Sequence, residues 1–190
     1  MTVVTSKFAR VDNELYETEE WATEALLRHF PVGPDDRIWE PAAGNHKIAD
    51  VLRAHGAKVF TSDIAAYDRR HDRIHDFLGE KRIFPADSII TNPPYGKGNR
   101  QAAAFARRAL ERCDGLVALL LTAKFDFGNT RVDLFRDNPR FLAKIALIDR
   151  IQWFPGDKSG TEDHAWFVWG REDGFAALRG WPTLIYEGRP

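Results

Sequence analysis

The fold is decided by residues 38–64, which read IWEPAAGNHKIADVLRAHGAKVFTSDI. A short apolar strand, Arg37–Glu40, leads into a turn that contains Gly44. Apolar residues then recur at helical spacing over His46–His55, and a second strand follows at Lys58–Ser62. A strand, a glycine-containing turn, a helix and another strand in this order predict the first unit of a nucleotide-binding α/β fold.

Apolar runs and amphipathic segments alternate along the rest of the chain as well. Helices are predicted over Thr18–Phe30, with Thr18 as the N-cap, over Gln101–Cys113 and over Asp126–Asp137. Further strands are predicted around Ile74 and over Asp87–Thr91, Gly115–Leu121, Ala143–Phe154, His164–Gly170 and Thr183–Glu187. This alternation is typical of a doubly wound α/β sheet of mostly parallel strands. The loop Pro155–Asp163 between two aromatic strands adds an antiparallel C-terminal hairpin.

The composition is that of a globular protein. Of the 190 residues, 44% are hydrophobic and 29% are charged, which are ordinary proportions for one domain, so we expect residues 1–190 to form a single domain. The one cysteine, Cys113, excludes a disulfide scaffold. The longest apolar run, Gly115–Leu121, is too short to cross a bilayer, and the N-terminus lacks the apolar core of a signal peptide. These features predict a cytoplasmic protein without a membrane partner.

Polar residues follow three predicted strands at the edge where ligands of α/β sheets bind. They are the turn Glu40–Gly44, Asp63, and the sequence Asn-Pro-Pro-Tyr at 92–95, whose prolines end the preceding strand. The interval from Glu40 to Asp63 is 63 − 40 = 23 residues, close to the spacing of about 20 at which an acidic residue reaches a ribose. The spacing predicts a nucleoside-containing ligand but does not distinguish a dinucleotide from another adenosine compound.

The Asn-Pro-Pro-Tyr sequence suits chemistry on an amine whose lone pair is delocalised into a ring. The side-chain oxygen of Asn92 and the carbonyl of Pro93 are two acceptors for the two amine hydrogens, and this positioning localises the lone pair. The prolines Pro93 and Pro94 fix the loop and add no competing donor. Tyr95 offers a flat face for a base. The alternative is that the four residues are only a turn that ends a strand.

Together these segments resemble the class I S-adenosylmethionine-dependent amino-methyltransferases, and in particular the DNA adenine-N6 group, whose catalytic motif is [D/N/S]-P-P-[Y/F/W]. Residues 38–64 resemble motifs I and II of that family, and Asp76-Phe77 resembles its third motif. Tyr16-Glu17-Thr18 resembles the segment that precedes motif I in the γ-type order. The resemblance covers residues 16–95.

The resemblance implies a Rossmann-like methyltransferase fold, S-adenosylmethionine as cofactor and methyl transfer to the N6 amine of adenine in DNA. The catalytic residues would be Asn92, Pro93, Pro94 and Tyr95. The cofactor would contact Tyr16, Thr18, Glu40, Pro41, Ala42, Gly44, Asp63, Ile64, Asp76, Phe77 and Asn92. The substrate would contact Tyr95, Phe154, Lys97 and Lys158, and no metal is required.

One residue departs from the family pattern. The family turn often reads Gly-x-Gly, but His46 occupies the second glycine position, so its side chain has to point away from the ligand. Two neighbouring histidines, His71 and His75, are four residues apart, but no further His or Cys lies nearby, and a solvated loop is expected there rather than a metal site.

Three alternative functions stay open. The first is methyl transfer to an amine of an RNA base, and the second is methyl transfer to a protein glutamine amide. The third is a non-catalytic cofactor-binding module. The net charge of −1 excludes a polybasic DNA binder, so DNA contacts would come from a local rim that includes Lys97, Arg100 and Lys158. We expect no separate target-recognition domain in the chain, which implies a short target site, a homodimer or a recognition partner.

Overall fold

Eight strands form one mixed sheet in a computed structural model that describes residues 14–79, 81, 84–153, 162–171 and 182–190. The strands are β1 (Arg37–Glu40), β2 (Lys58–Asp63), β3 (Arg73–Ile74), β4 (Ser88–Thr91), β5 (Leu116–Thr122), β6 (Phe141–Leu147), β7 (His164–Trp169) and β8 (Thr183–Glu187). Their order across the sheet is β3-β2-β1-β4-β5-β7-β6-β8. Only β7 runs antiparallel to its neighbours, β5 and β6. The predicted fold class is therefore confirmed.

Helices cover both faces of the sheet. On one face lie α1 (Glu20–Leu27) and α2 (Lys47–Ala54), whose apolar side chains join those of the central strands in a buried core. On the other face lies α3 (Arg100–Arg112), and next to it the segment 125–141 contributes Phe125 and Leu134 to a second core. Both faces of β5 are therefore buried, which explains why its sequence is apolar without alternation.

The predicted helix over Asp126–Asp137 is wrong. Within the described chain this segment consists of turns and one short 3₁₀ turn at Asn129–Arg131. Gly128 has φ of 137°, a conformation that interrupts a helix and that glycine adopts most easily. The ammonium of Lys144 also bonds the carboxylate of Asp126 at 2.9 Å, which holds the beginning of the segment against β6.

Two other boundaries differ from the prediction. The strand predicted over Ala143–Phe154 ends at Leu147, because its partner β7 begins only at His164 and pairs no further than Ala146. The N-cap of α1 is Glu19 rather than Thr18. The hydroxyl of Thr18 instead accepts a hydrogen bond from the side-chain amide of Asn92.

Arg140 connects three elements at the end of the sheet opposite the turn of Gly44. Its half-buried guanidinium donates to the carbonyl of Leu110 at the end of α3 and to those of Cys113, Gly115 and Gly170, at 2.6–3.0 Å. The last carbonyls of a helix have no partner within the helix, and a cation there is favourable. One side chain therefore satisfies four backbone acceptors.

Replacing Arg140 by methionine should lower the free energy of unfolding by about 3 kcal/mol, because several charge-assisted bonds to partly buried carbonyls are lost. Urea unfolding of Arg140→Met and of a matched control, Arg136→Met, measures this. Arg136 is exposed, and its one ion-pair partner among the described residues is Asp137, so the control should change by less than about 0.5 kcal/mol. Equal, small changes in both variants would contradict the role given to Arg140.

Candidate active site

A cavity of about 400 Å³ opens at the carboxyl ends of β1, β2 and β4. Parallel pairing brings these three strand ends to the same edge of the sheet. All residues predicted to bind the cofactor line the cavity: Tyr16, Thr18, Glu40, Pro41, Ala42, Gly44, Asp63, Ile64, Asp76, Phe77 and Asn92. The structure therefore brings together residues that lie up to 76 positions apart in the sequence, as the bond between Asn92 and Tyr16 shows.

The glycine turn is held against β2 by a carboxylate. The backbone N–H of Gly44 donates to Oδ2 of Asp63 at 3.0 Å, and Asp63 is buried at the end of β2. Gly44 has φ of 46°, a conformation that glycine adopts most easily, and a Cβ atom there would lie 2.6 Å from the end of the Leu15 side chain, which would have to move. The second oxygen of Asp63 accepts from the hydroxyl of Tyr67 at 3.3 Å. The turn is thus fixed before any ligand binds.

His46 begins α2 in the left-handed conformation, with φ of 66°. Its side chain is buried outside the cavity lining, and its Nε2 lies 2.9 Å from Nδ1 of His71. Burial and the neighbouring His71 lower the pKa of His46 to about 4, so the ring is neutral at pH 7. The side chain thus points away from the ligand side of the turn, as the glycine position requires.

The stretch 69–76 is mostly exposed, as predicted for a solvated loop, but the side chain of His71 is an exception. His71 is buried because it packs between His46 and the ring of Tyr67. Among the described residues, no group of three or more His, Cys, Asp or Glu side chains is arranged to hold a metal ion.

Glu40 is an ionisable group buried at the floor of the cavity. Glu40 is 1% exposed, and the backbone N–H of Ala49 donates a hydrogen bond to its carboxyl group. Its Oε2 has no hydrogen-bond partner in the described part of the chain. Burial raises the pKa of Glu40 well above its usual value, and the carboxylate of Asp63 raises it further. An oxygen without a partner, on a cavity wall, is suited to bind a donor on a ligand.

The raised pKa predicts how Glu40 affects stability. The folded protein holds the proton at pH values where the unfolded chain has lost it, so stability falls as pH rises above about 4.3. Glu40→Gln should therefore raise the free energy of unfolding at pH 8 and change it little at pH 4. Urea unfolding at both pH values tests this, with the exposed Glu20→Gln as the control. A gain that is equal at both pH values would exclude protonation as the cause.

The side-chain amide of Asn92 is oriented by the segment before α1. Its Nδ2 donates to the hydroxyl of Thr18 at 3.3 Å and to the carbonyl of Tyr16 at 3.4 Å. No donor in the described chain bonds its Oδ1. Pro94 also lines the cavity, whereas Pro93 is buried and does not. The oxygen of Asn92 is therefore available as an acceptor beside the cavity.

The side chain of Tyr95 is held by contacts within the protein. Its hydroxyl donates to the carbonyl of Leu120 at 3.3 Å, and its ring stacks on that of His164 with centroids 6.1 Å apart. Burial raises the pKa of the Tyr95 phenol, and burial lowers the pKa of His164 to about 4. Tyr95 does not line the cavity, and one face of its ring is already covered.

Sequence reasoning missed Glu14. Its carboxylate accepts the backbone N–H groups of Tyr95 at 2.6 Å and of Gly96 at 3.0 Å, and its side chain also lines the cavity. The bond to Tyr95 joins residues 81 positions apart, and no local pattern in the sequence indicates such a contact. Glu14 therefore ties the N-terminal segment to the loop 92–96.

The predicted substrate-binding residues divide into two groups. Lys97 lies on the 3₁₀ turn Lys97–Asn99, directly after the loop 92–96. Lys97 and Arg100 are both exposed. Phe154 and Lys158 lie outside the described residues. Their neighbour Trp153 contacts the ring of Tyr16 edge-on, with centroids 5.7 Å apart.

Comparison with protein-family profiles and with curated proteins finds no match for the sequence. In the part that the structure describes, no helix is long and apolar enough to span a membrane.

Solved structures show the same fold at low sequence identity. A putative RNA methyltransferase from Pyrococcus horikoshii has a TM-score of 0.67 at 16% identity, over 87% of this chain and 90% of that one. A putative class I S-adenosylmethionine-dependent methyltransferase from Listeria monocytogenes has a TM-score of 0.64 at 12% identity, over 96% and 68%. A modification subunit of a putative type I restriction enzyme from Vibrio vulnificus has a TM-score of 0.60 at 12% identity, over 91% of this chain and 46% of that one. The chain therefore has the class I methyltransferase fold.

Proposed function

We propose that the protein transfers a methyl group from S-adenosylmethionine to the N6 amine of adenine in DNA. The observation that carries the proposal is the oriented amide of Asn92, whose oxygen is available beside a cavity at the carboxyl edge of a methyltransferase fold. The Vibrio vulnificus neighbour, a restriction-system modification subunit, supports DNA as the acceptor. The one cysteine of the chain, buried and free, agrees with action in the reducing cytoplasm.

The cavity suits S-adenosylmethionine in size and in charge. A volume of about 400 Å³ lies within the range of about 300–1,000 Å³ that is usual for small-molecule sites. The carboxyl groups of Glu40, Asp63 and Asp76 line it and favour a ligand that carries a sulfonium and an ammonium group. Asp63 would accept from the ribose hydroxyls, Asp76 from the adenine amine, and the unpartnered oxygen of Glu40 from the ammonium. Ile64 would cover the adenine ring.

The role of Glu40 predicts weaker cofactor binding in Glu40→Gln. A charge-assisted hydrogen bond is replaced by a neutral one, so the Kd for S-adenosylmethionine should rise about tenfold. Because the buried carboxyl has to lose its proton to bind a cation, the wild-type affinity should also increase from pH 6 to pH 8, and that of the variant should increase less. Calorimetry measures both. An affinity unchanged in Glu40→Gln, relative to the Glu20→Gln control, would remove Glu40 from the site.

The loop 92–96 would prepare the amine for transfer. When bound, S-adenosylmethionine supplies an electrophilic methyl group. Oδ1 of Asn92 and the carbonyl of Pro93 would accept the two N6 hydrogens, which directs the nitrogen lone pair towards that methyl carbon. A nitrogen–carbon bond forms as the sulfur–carbon bond breaks, the sulfur keeps the electron pair, and the extra proton on nitrogen passes to water. The hydrogen bonds to Thr18 and Tyr16 hold the Asn92 amide in the orientation that this requires.

Asn92→Ala should reduce methyl transfer about 100-fold or more, because one preorganised hydrogen-bond partner of the transition state is lost. Binding of S-adenosylmethionine should change much less. Radiolabelled cofactor, DNA and nucleoside analysis of the product measure the transfer. Asn138→Ala is the matched control, because Asn138 lies before β6 at the opposite edge of the sheet. Methyl transfer at the wild-type rate in Asn92→Ala would contradict the proposed mechanism.

RNA is the second candidate acceptor, and the similarity to the putative RNA methyltransferase from Pyrococcus horikoshii is its support. The same assay with RNA separates the two, because N6-methyladenosine and N6-methyldeoxyadenosine are different products. The hypothesis of a non-catalytic module depended on His46. The side chain of His46 is buried next to His71 and does not line the cavity, which favours the enzyme over that module.

A further inference from the structure

The turn formed by residues 123–128, called here the β5 turn, rises beside the loop 92–96. Thr91, the last residue of β4, pairs with Leu119 of β5, and β5 continues to Thr122. The difference is 122 − 119 = 3 residues, which is about 10 Å at the rise of a strand. The β5 turn therefore begins about 10 Å beyond the point where Asn92 follows β4.

Two hydrogen bonds join this part of β5 to the loop 92–96 and to the 3₁₀ turn that follows it. The hydroxyl of Tyr95 donates to the carbonyl of Leu120, and Nδ2 of Asn99 donates to the hydroxyl of Thr122 at 3.2 Å. The β5 turn is thus a direct neighbour of the loop that carries Asn92.

The β5 turn carries the most exposed of the large hydrophobic side chains that the structure describes. Phe127 is 70% exposed, whereas Phe125, two residues earlier, is fully buried. Exposing a phenyl ring is unfavourable in water, so a ring presented at the edge of a candidate active site is suited to contact a partner. The other exposed aromatic side chain of the described residues, Tyr186, lies on the edge strand β8, three strands away from β5.

Hydrogen bonds hold the β5 turn in place below Phe127. The ammonium of Lys144 donates to the carbonyl of Ala123 at 2.7 Å and to the carboxylate of Asp126 at 2.9 Å, and it lies 5.5 Å from the centroid of the Phe127 ring. The N–H of Phe127 donates to the carbonyl of Lys124 at 3.1 Å. A preorganised aromatic ring loses little conformational entropy when it binds.

The charges around Phe127 favour an anionic partner. Lys97, Arg100 and Lys124 are exposed, and none of them has an ion-pair partner within the described ranges. Two exposed carboxylates, Glu162 and Asp163, lie on this side. Asp163 is paired with Arg150 at 2.8 Å, and the charge of Glu162 contributes to the raised pKa of Tyr95. The carboxylate of Asp126 is neutralised by Lys144. A site for a nucleic-acid strand needs cations that bind phosphates and an aromatic ring that stacks on a base. Both are present here.

We propose that the β5 turn is a contact surface for the nucleic acid acceptor, in which Phe127 stacks on a base beside the adenine that enters the active site. Lys97, Arg100 and Lys124 bind the flanking phosphates. The inference rests on the proposed function and extends it, because it assigns the strand contact to a residue outside the catalytic motif. Stacking tolerates any base, so Phe127 contributes affinity and positions the strand without selecting a sequence.

Phe127→Ala tests the contact, with Phe127→Tyr as the conservative variant and Tyr186→Ala as the matched control. Binding of a short fluorescein-labelled DNA duplex is measured by anisotropy, and methyl transfer by radiolabelled cofactor. Loss of the ring should raise the Kd and KM for DNA about tenfold and leave the melting temperature and the affinity for S-adenosylmethionine unchanged. Phe127→Tyr should restore binding, and Tyr186→Ala should bind DNA as the wild type does.

The outcomes separate the two proposals. Wild-type Kd and KM in Phe127→Ala, with methyl transfer to DNA intact, would overturn the contact and leave the proposed function standing. If the wild type binds DNA without methylating it, while Phe127→Ala loses binding, the contact holds and the function is wrong. If the wild type neither binds nor methylates DNA, both are overturned, and the exposed ring then serves a protein partner or none.

Discussion

The hydrogen bond between Gly44 and Asp63 is the interaction on which the site depends. It closes the turn after β1 onto the end of β2, at a position whose positive φ of 46° favours glycine. Parallel pairing of β1 with β2 and β4 makes this contact possible, because it brings the carboxyl ends of all three strands to one edge. The cavity, the buried carboxyl of Glu40 and the loop of Asn92 all lie around that closed turn.

The segment 14–18 connects the cavity to the loop 92–96. Its side chains line the cavity, and the same segment bonds the amide of Asn92 and the backbone N–H groups of Tyr95 and Gly96. A ligand that moves this segment therefore also changes the orientation of the acceptor oxygen. Such coupling would let cofactor binding complete the site before the substrate amine arrives.

Much of the fold and of the site was predictable, because both depend on local patterns. The strands Arg37–Glu40 and Thr183–Glu187 have their predicted bounds. Apart from Tyr16 and Thr18, which precede α1, the predicted cofactor residues lie at strand ends or on the segment that follows one. Contacts between distant segments were not predictable: the bonds of Glu14 and the burial of His71 arise only when remote parts of the chain meet. The helix predicted from amphipathic spacing over Asp126–Asp137 failed because turn formation outweighs a weak helical pattern.

The most direct test of the account is a crystal structure of the protein with S-adenosylhomocysteine. We expect the ribose hydroxyls within hydrogen-bond distance of Asp63, the ammonium group bonded to Glu40, and the sulfur facing the loop of Asn92. Binding outside the cavity, or in the cavity with the sulfur directed away from Asn92, would contradict this expectation.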